Sequence, residues 1–153
     1  MCNPAAPVLL VEDEVSDAML FKRAFGKALN WPPVIRVANG DEAVDYLDGI
    51  GAFCDRNQYP LPSIVVLDIK LPRRGGFEVL ESIRTRADQF SKIPVIMLSS
   101  SNRLADIQQS YEKGANSYVI KPYTADEYAK MAMAIVSFWM TFNEQASCPR
   151  VRH

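Results

Sequence analysis

Apolar residues occur in two alternating kinds of segment along this chain. Five short runs, each four or five residues long, are typical of strands buried in a parallel sheet. They are Val8–Val11, Val34–Ala38, Ile64–Leu67, Pro94–Leu98 and Ser117–Ile120. Apolar residues spaced three and four apart predict a helix after each run. This alternation predicts a doubly wound α/β fold with five parallel strands, five helices and right-handed crossovers.

Each predicted helix carries an apolar stripe. The first helix has Ser16 as its N-cap, and the last runs from Thr124 to about Phe142. The stripes are Ala18, Phe21, Phe25 and Ala28; Ala43, Val44 and Leu47; Phe77, Leu80 and Ile83; Leu104, Ile107 and Tyr111; and Tyr128, Met131, Ile135, Phe138 and Phe142. The polar connection over 49–62 is long for a compact domain, which predicts an insertion or a functional surface of unassigned chemistry.

Polar side chains follow four of the five strands. Glu12 and Asp13 follow the first strand, Asp68 the third, Ser99 the fourth and Lys121 the fifth. Ligands of open α/β sheets bind outside the carboxyl ends of the strands, so these residues are expected to meet at one edge. Taken alone, Asp68 is either a strand cap or a working carboxylate. The acid pair equally suits the start of a helix or a site for a hard cation.

Together these groups predict phosphoryl chemistry that depends on a divalent cation. At an effective dielectric constant near 20, two carboxylates ~4 Å apart repel each other by about 4 kcal/mol. Mg²⁺ would relieve the repulsion, because it takes oxygen ligands and usually pairs with phosphate. A phosphoryl group also needs a second cation and a hydroxyl donor, which Lys121 and Ser99 can supply. Asp68 is then the nucleophile that forms an acyl phosphate.

The same residues resemble the receiver domain of the response regulators of two-component signalling. The resemblance covers about Val8 to Phe142. It rests on Glu12-Asp13, Asp68-Ile69-Lys70-Leu71-Pro72, Gly76, Ser99 and Lys121-Pro122. It implies a flavodoxin-like sheet with strand order 2-1-3-4-5, and phosphorylation of Asp68 by a sensor histidine kinase. Ser99 stands where threonine is commoner in the family, and it keeps the hydroxyl group.

The resemblance also implies a metal site. Asp13 and Asp68 would ligate Mg²⁺ directly, and Glu12 would act through a water molecule. The backbone carbonyl of Lys70 would supply a further ligand. The side chain of Lys70 is expected to overhang the pocket, where it would screen the phosphoryl group or hinder an attacking water molecule.

Other positions concern the phosphoryl group and the response to it. Lys121 and Ser99 would contact the phosphoryl group, and the Lys121–Pro122 peptide would be cis. Tyr118 falls on the aromatic switch position of the family. Phosphorylation would draw Ser99 and Lys121 towards the phosphate and bias a two-state surface near Tyr118.

Shorter features narrow the resemblance. The loop over 53–62, the segment Lys70-Leu71-Pro72 and the pair Phe138-Trp139 resemble stand-alone regulators paired with bacterial phytochrome histidine kinases. We expect an N-terminal tail over 1–7, a receiver domain over 8–143 and a disordered tail over 144–153. No length remains for an output domain, so output is expected through protein contacts.

The last predicted helix is apolar on more than one face, because Met133, Val136 and Met140 form a second stripe. A helix of this kind needs a second partner. The long loop or the tail could cover it, but we favour a homodimer interface. Its predicted members are Tyr128, Met131, Ile135, Phe138, Trp139 and Phe142.

The composition is that of an ordinary globular domain. Of 153 residues, 48% are hydrophobic and 23% charged, and the net charge is −1. This charge attracts neither DNA nor an anionic membrane, so neither is expected as a partner. Three scattered cysteines and the lack of a signal or transmembrane segment favour the cytoplasm.

Rival functions must explain the same residues. A flavin carrier shares the fold, but the acid pair would repel its phosphate. A haloacid-dehalogenase-like phosphatase would place a second aspartate where Lys70 stands. A degenerate receiver that acts only as a protein-binding scaffold is the main alternative. We expect a phosphoacceptor signalling protein rather than an enzyme, one that catalyses only its own phosphotransfer and dephosphorylation.

Overall fold

The five predicted strands pair into one parallel sheet. A computed structural model of the protein describes residues 6–26 and 32–144. The strands are β1 (Val8–Val11), β2 (Val34–Val37), β3 (Ile64–Leu67), β4 (Val95–Ser99) and β5 (Ser117–Ile120). Their order is β2-β1-β3-β4-β5 and every pair is parallel. The predicted fold class and strand order are therefore confirmed.

Five α-helices alternate with the strands in the described residues. They are α1 (Val15–Gly26), α2 (Gly40–Asp48), α3 (Gly76–Arg84), α4 (Leu104–Glu112) and α5 (Ala125–Ser137). Short 3₁₀ turns at Gly51–Phe53 and Gln89–Lys92 have no counterpart in the predictions, and a π-helical turn at Phe138–Phe142 occupies the end of the predicted last helix. None of the described helices is long and apolar enough to cross a membrane.

The predicted strand ends agree with the structure to within one residue, but α5 ends at Ser137 and not at about Phe142, and the start of α1 also differs. This helix begins at Val15, so Ser16 lies inside its first turn and is not the N-cap. Thr124 does precede α5, and its side chain accepts a hydrogen bond from the backbone N–H of Glu127. The predicted stripe position Ala28 lies outside the described residues, and so do residues 1–5 and 145–153 of the predicted tails over 1–7 and 144–153.

Strand side chains alternate between two hydrophobic cores, one on each face of the sheet. The core beneath α2 and α3 contains Leu9, Val11, Val65, Leu67, Val95 and Met97. The core beneath α1 and α5 contains Val8, Leu10, Ile64, Val66, Ile96 and Leu98. Full burial of such a side chain stabilises the fold by ~1.5–3 kcal/mol. Burial on both faces explains why β1, β3 and β4 are continuous apolar runs.

The strand register aligns the predicted site residues at one edge. Val11 is opposite Leu67, so Glu12 and Asp68 leave β1 and β3 side by side. Where β4 and β5 end, the backbone N–H of Lys121 donates to the carbonyl of Ser99 at 2.9 Å.

The apolar stripe predicted for α4 is not part of the core. Leu104 and Tyr111 are exposed and Ile107 is half-buried, whereas the buried residue of this helix is Ser110. Helix α4 lies against β5, an edge strand that is itself only partly buried. The sheet therefore offers α4 little apolar surface to cover.

The predicted interface set on the last helix divides into two groups. Tyr128 and Ile135 are buried in the core beneath α1 and α5, so their assignment to a dimer interface is corrected. The sheet and α1 already cover these two side chains. The members that remain at least partly exposed are Met131, Phe138, Trp139 and Phe142.

The long connection over 49–62 is fastened to the end of α2. The ring of Tyr46 packs against the rings of Phe53 and Tyr59, with centroid distances of 5.3 and 6.1 Å. The guanidinium of Arg56 donates to the carbonyls of Tyr46 at 2.7 Å and Leu47 at 2.8 Å. Arg56 thus satisfies carbonyls that the end of a helix leaves without partners.

Candidate functional site

Lys121 lies at the centre of a group of carboxylates at the carboxyl edge of the sheet. Its Nζ is 2.6 Å from Glu12 Oε2, 2.8 Å from Asp68 Oδ2 and 3.0 Å from Asp17 Oδ2. A lysine ammonium has three donors, and here each can serve one carboxylate. Charge-assisted contacts of this kind are about twice as strong as neutral hydrogen bonds. Lys121 therefore fixes the three carboxylates relative to one another.

Burial and ion pairing oppose each other in this group, and ion pairing prevails at Lys121 whereas burial prevails at Glu12. Burial alone would lower the pKa of Lys121, but hydrogen bonds to Asp68 and Glu12 outweigh it and raise the pKa, so the ammonium stays charged. Glu12 is only 1% exposed, and this burial raises its pKa to about 7 although Lys121 opposes the shift. One ammonium faces three carboxyl groups, which makes the site favourable for a further cation.

Three side chains at this edge fit a divalent metal ion. Carboxylate oxygens of Glu12, Asp13 and Asp68 all lie within 4.8 Å of one another. Opposite ligands of an octahedral Mg²⁺ are about 4.2 Å apart, because each bond is ~2.1 Å long. The three oxygens therefore lie close enough together to serve one ion, directly or through a bound water molecule. Hard oxygen ligands of this kind suit Mg²⁺ or Mn²⁺.

Asp68 is held by backbone contacts on both sides. Its own N–H donates to the carbonyl of Val11 at 3.2 Å, and the N–H of Lys70 donates to its Oδ1 at 3.3 Å. A Cβ added to Gly76 would lie 2.1 Å from the carbonyl oxygen of Asp68, so this position needs glycine. The role of the Lys70 carbonyl as a metal ligand stays a prediction.

The loop that carries the acid pair is fixed by three sets of contacts. The N–H of Glu12 donates to the carbonyl of Val37 at 3.1 Å. The N–H of Glu14 donates to Glu12 Oε1 at 3.0 Å. Arg36 donates to the carbonyls of Glu12 and Asp13 at 2.9 and 3.0 Å. The main chain of this loop is thus held from β2, and the Glu12 carboxylate is held by the residue that precedes α1.

Ser99 and Tyr118 both contact Ser101. Ser99 is fully buried, and its hydroxyl accepts a hydrogen bond from the N–H of Ser101 at 3.2 Å. The hydroxyl of Tyr118 donates to the carbonyl of Ser101 at 2.8 Å. The hydroxyl of Ser101 donates to Asp106 Oδ2 in the first turn of α4 at 2.5 Å. The predicted switch residues are therefore two hydrogen bonds apart, but their function as a switch stays a prediction.

Sequence reasoning misses Asp17, Arg36 and Ser101. Asp17 lies in the first turn of α1, so an acid one turn after the acid pair is a signal that could have identified it. Arg36 is visible only as a single charge within an apolar strand. Ser101 links Ser99 to Tyr118 through its backbone, and residue type carries no signal for that.

The Lys121–Pro122 peptide is trans, since the described residues contain no cis peptide bond. The cis geometry implied by the resemblance is therefore wrong for this structure. A trans bond before proline is intrinsically favoured by ~0.5–1 kcal/mol. The trans backbone already allows Lys121 to contact both the Ser99 carbonyl and the carboxylates.

Comparison with known proteins identifies the family of this chain. The sequence model of the response regulator receiver domain matches residues 8–133, and the chain belongs to this family. Response regulator Rcp1 of Synechocystis sp. strain PCC 6803 is 32% identical over 138 residues, which cover 90% of this chain and 91% of Rcp1.

Phytochrome response regulators are among the solved structures that this chain resembles. The phosphorylated cyanobacterial phytochrome response regulator RcpA has a TM-score of 0.85 and 29% identity, covering 92% of this chain and 98% of RcpA. The Mn²⁺-bound form of Rcp1 has a TM-score of 0.82 and 30% identity, covering 92% and 98%. The bacteriophytochrome response regulator RtBRR has a TM-score of 0.72 and 35% identity, covering 95% and 84%.

Proposed function

We propose that this protein is a response regulator that accepts a phosphoryl group from a sensor histidine kinase onto Asp68, with bound Mg²⁺, and signals through protein contacts. The observation that carries the proposal is the contact of the Lys121 ammonium with the carboxylates of Asp68 and Glu12. The proposed nucleophile Asp68, the proposed cation for the phosphoryl group and two of the proposed metal ligands are thus in contact at one edge. The proposed receiver domain spans 8–143. Its proposed location is the cytoplasm, where ATP is the source of the kinase's phosphoryl group.

The proposed reaction transfers a phosphoryl group from a histidine nitrogen to Asp68. A carboxylate oxygen of Asp68 attacks phosphorus, the P–N bond breaks, and its electron pair stays on the imidazole nitrogen. As the new bond forms, Lys121 moves its hydrogen bond from Asp68 to a phosphoryl oxygen. The Ser99 hydroxyl donates to another phosphoryl oxygen. These two donors stabilise charge on the phosphoryl oxygens in the transition state.

The proposed metal ligands are side-chain and backbone oxygens of the same edge. Asp13 and Asp68 would ligate Mg²⁺ directly, Glu12 through a water molecule and Lys70 through its carbonyl. The ion supplies positive charge next to the phosphoryl oxygens. The Mn²⁺-bound form of Rcp1 and the carboxylate oxygens within 4.8 Å of one another support this part of the proposal.

The proposed response runs from Ser99 to Tyr118 through Ser101. When Ser99 turns its hydroxyl towards the phosphoryl group, the N–H of Ser101 loses its acceptor. The loop between β4 and α4 can then adopt a second arrangement, in which the Tyr118 hydroxyl contacts Ser101 differently. Phosphorylation would shift the population between the two arrangements.

Intact-mass measurement after incubation with Mg²⁺ and acetyl phosphate tests the central claim. The wild type should gain one phosphoryl group, and chelation of Mg²⁺ should prevent the gain. Asp68→Asn should gain none, whereas Asp55→Asn, a matched change at an exposed carboxylate, should behave as the wild type. If neither acetyl phosphate nor a phosphorylated kinase labels the wild type, the degenerate scaffold becomes the better account.

The proposed kinase is a bacterial phytochrome. Support comes from the similarity of this chain to RcpA and RtBRR, which are phytochrome response regulators. Phosphotransfer should be faster from a phytochrome kinase than from an unrelated histidine kinase, and should change with illumination. A preference for the unrelated kinase would refute this pairing and leave the phosphoacceptor role intact.

The proposed output includes a homodimer formed through the end of the last helix. Phe138 is 51% and Phe142 70% exposed, and the Phe138 ring packs edge-on against Trp139 at 5.2 Å. Exposed apolar surfaces of this kind mark interaction sites. Light scattering should report a dimer that Phe142→Ser weakens, while Val15→Ser, an exposed control on α1, should not. A monomer in both phosphorylation states would refute the homodimer.

Lys70 is proposed to lengthen the lifetime of the phosphoryl group. It is exposed, and its backbone already contacts Asp68 Oδ1. Lys70→Ala should therefore speed the loss of the phosphoryl group, while Lys92→Ala, an exposed control, should not. An unchanged decay rate in Lys70→Ala would remove this role.

A further inference from the structure

Arg36 is the single charged residue of β2, and its side chain contacts the loop that carries the acid pair. Its Nε donates to the carbonyl of Glu12 at 2.9 Å and its Nη2 to the carbonyl of Asp13 at 3.0 Å. We propose, on the basis of the metal site in the proposed function, that Arg36 is a positioning residue for that site. It holds the backbone of both acids so that their carboxylates can bind one divalent ion.

The position of Arg36 in the sheet explains how it contacts both carbonyls. It is opposite Leu10, two residues before Glu12, so its side chain extends past the end of the strand pair. The last backbone hydrogen bond between β2 and this loop is the one in which the Val37 carbonyl accepts the N–H of Glu12. The guanidinium continues the pairing with two side-chain donors. Because its donors form a rigid planar fork, it fixes two successive peptide units.

The acid pair needs this restraint. Glu12 and Asp13 are adjacent, and the carboxylate of Asp68 lies close to both. Mutual repulsion between these groups tends to spread the loop when no metal is bound. Lys121 restrains Glu12 and Asp68 through their carboxylates. Arg36 acts instead on the main chain, through the two carbonyls that flank the Cα of Asp13, so it also restrains Asp13, which is less buried.

A purely electrostatic effect of Arg36 makes the opposite prediction. A positive charge near the acid pair disfavours a divalent cation, so its removal alone would tighten metal binding. Arg36→Gln removes both the charge and the fork, whereas Arg36→Lys keeps the charge and loses the fork. Positioning predicts weaker metal binding in both variants. Charge alone predicts tighter binding in Arg36→Gln and no change in Arg36→Lys.

The test measures the Kd for Mn²⁺ on the full chain from the electron paramagnetic resonance signal of free Mn²⁺. Arg36→Gln and Arg36→Lys should each bind about tenfold more weakly than the wild type, the effect of losing a residue that supports a metal ligand. Arg86→Gln is the matched control, because Arg86 pairs with Asp48 at the end of α2. Its Kd should equal that of the wild type.

Circular dichroism melts of the metal-free variants ensure that each Kd is measured on folded protein. If Arg36→Gln does not fold, the comparison of Arg36→Lys with the wild type decides. Tighter binding in Arg36→Gln, or an unchanged Kd in Arg36→Lys, would overturn the positioning role while the wild-type metal site stands. A wild type that binds no Mn²⁺ would overturn the proposed metal site itself, and the role of Arg36 with it.

Discussion

Replacement of Gly76 by alanine should impair both stability and phosphorylation. Gly76 is the first residue of α3, and its N–H donates to the carbonyl of Ile69 at 2.9 Å. A Cβ at this position would lie 2.1 Å from the carbonyl oxygen of Asp68, where ordinary contact begins at 3.4 Å. The backbones must therefore separate by about 3.4 − 2.1 = 1.3 Å. The atoms that have to move belong to the proposed phosphoacceptor.

This displacement sets the expected magnitudes. Overpacking of a closely packed position costs ~1–3 kcal/mol of folding free energy. Misplacement of a reacting group by ~1 Å costs about 100-fold in rate. Gly76→Ala should therefore lose about 3 kcal/mol and accept the phosphoryl group about 100-fold more slowly. A comparable loss is not expected at a neighbouring glycine that has room for a Cβ.

Gly75→Ala provides that control. A Cβ on Gly75 would lie 3.9 Å from the Ile69 carbonyl, and its φ of −69° suits alanine. Alanine is a poorer N-cap than glycine, so a loss of about 1 kcal/mol or less is expected. Urea denaturation and the time course of mass labelling would measure both variants. If Gly76→Ala matches Gly75→Ala in both assays, the steric argument is wrong.

Three further changes test buried polar groups. Lys121→Met removes the cation from a buried group of carboxylates, so the free energy of unfolding of the metal-free protein should fall by ~3–5 kcal/mol in a urea titration. Added Mg²⁺ should restore part of this stability. An unchanged stability would contradict the prediction. The pKa of Glu12 is raised by burial from 4.5 to about 7, so its stabilising contribution is complete below pH 4.5 and is lost as pH rises through about 7. This pH-dependent loss of the free energy of unfolding approaches ~3 kcal/mol in the wild type and should be absent in Glu12→Gln. If the stability of Glu12→Gln fell as steeply with pH as that of the wild type, this account of Glu12 would be wrong. The buried Tyr128 hydroxyl has no hydrogen-bond partner within the described part of the chain, so Tyr128→Phe should raise the free energy of unfolding by ~1 kcal/mol, and a decrease would show that the hydroxyl is satisfied.

The strands could be predicted because the central three are buried on both faces and contain only apolar residues up to their last positions. Helix burial was less predictable, since three-four spacing shows that a helix is amphipathic but not what covers it. Leu104 and Tyr111 have this spacing and yet face solvent beside an edge strand. Tyr128 and Phe142 belong to one predicted stripe, but Phe142 lies beyond α5 in the π-helical turn, where the sheet no longer covers it.

The candidate site could be predicted where its residues directly follow strands, because parallel topology alone brings those positions together. This applies to Glu12, Asp68 and Lys121, whose contacts the structure shows. Asp17 and Arg36 act from a helix turn and from within a neighbouring strand, so their contacts depend on side-chain reach. Spacing along the sequence carries little information about reach of that kind.

The link between Ser99 and Tyr118 does not depend on the side chain at position 101. Both hydrogen bonds use the main chain of Ser101, its N–H towards Ser99 and its carbonyl towards Tyr118. Every residue except proline offers the same two groups. The side chain at 101 can therefore change how α4 is attached, as its present bond to Asp106 shows, without breaking this link. The attachment of α4 and the connection between Ser99 and Tyr118 are thus separable, since one uses the side chain of residue 101 and the other its main chain.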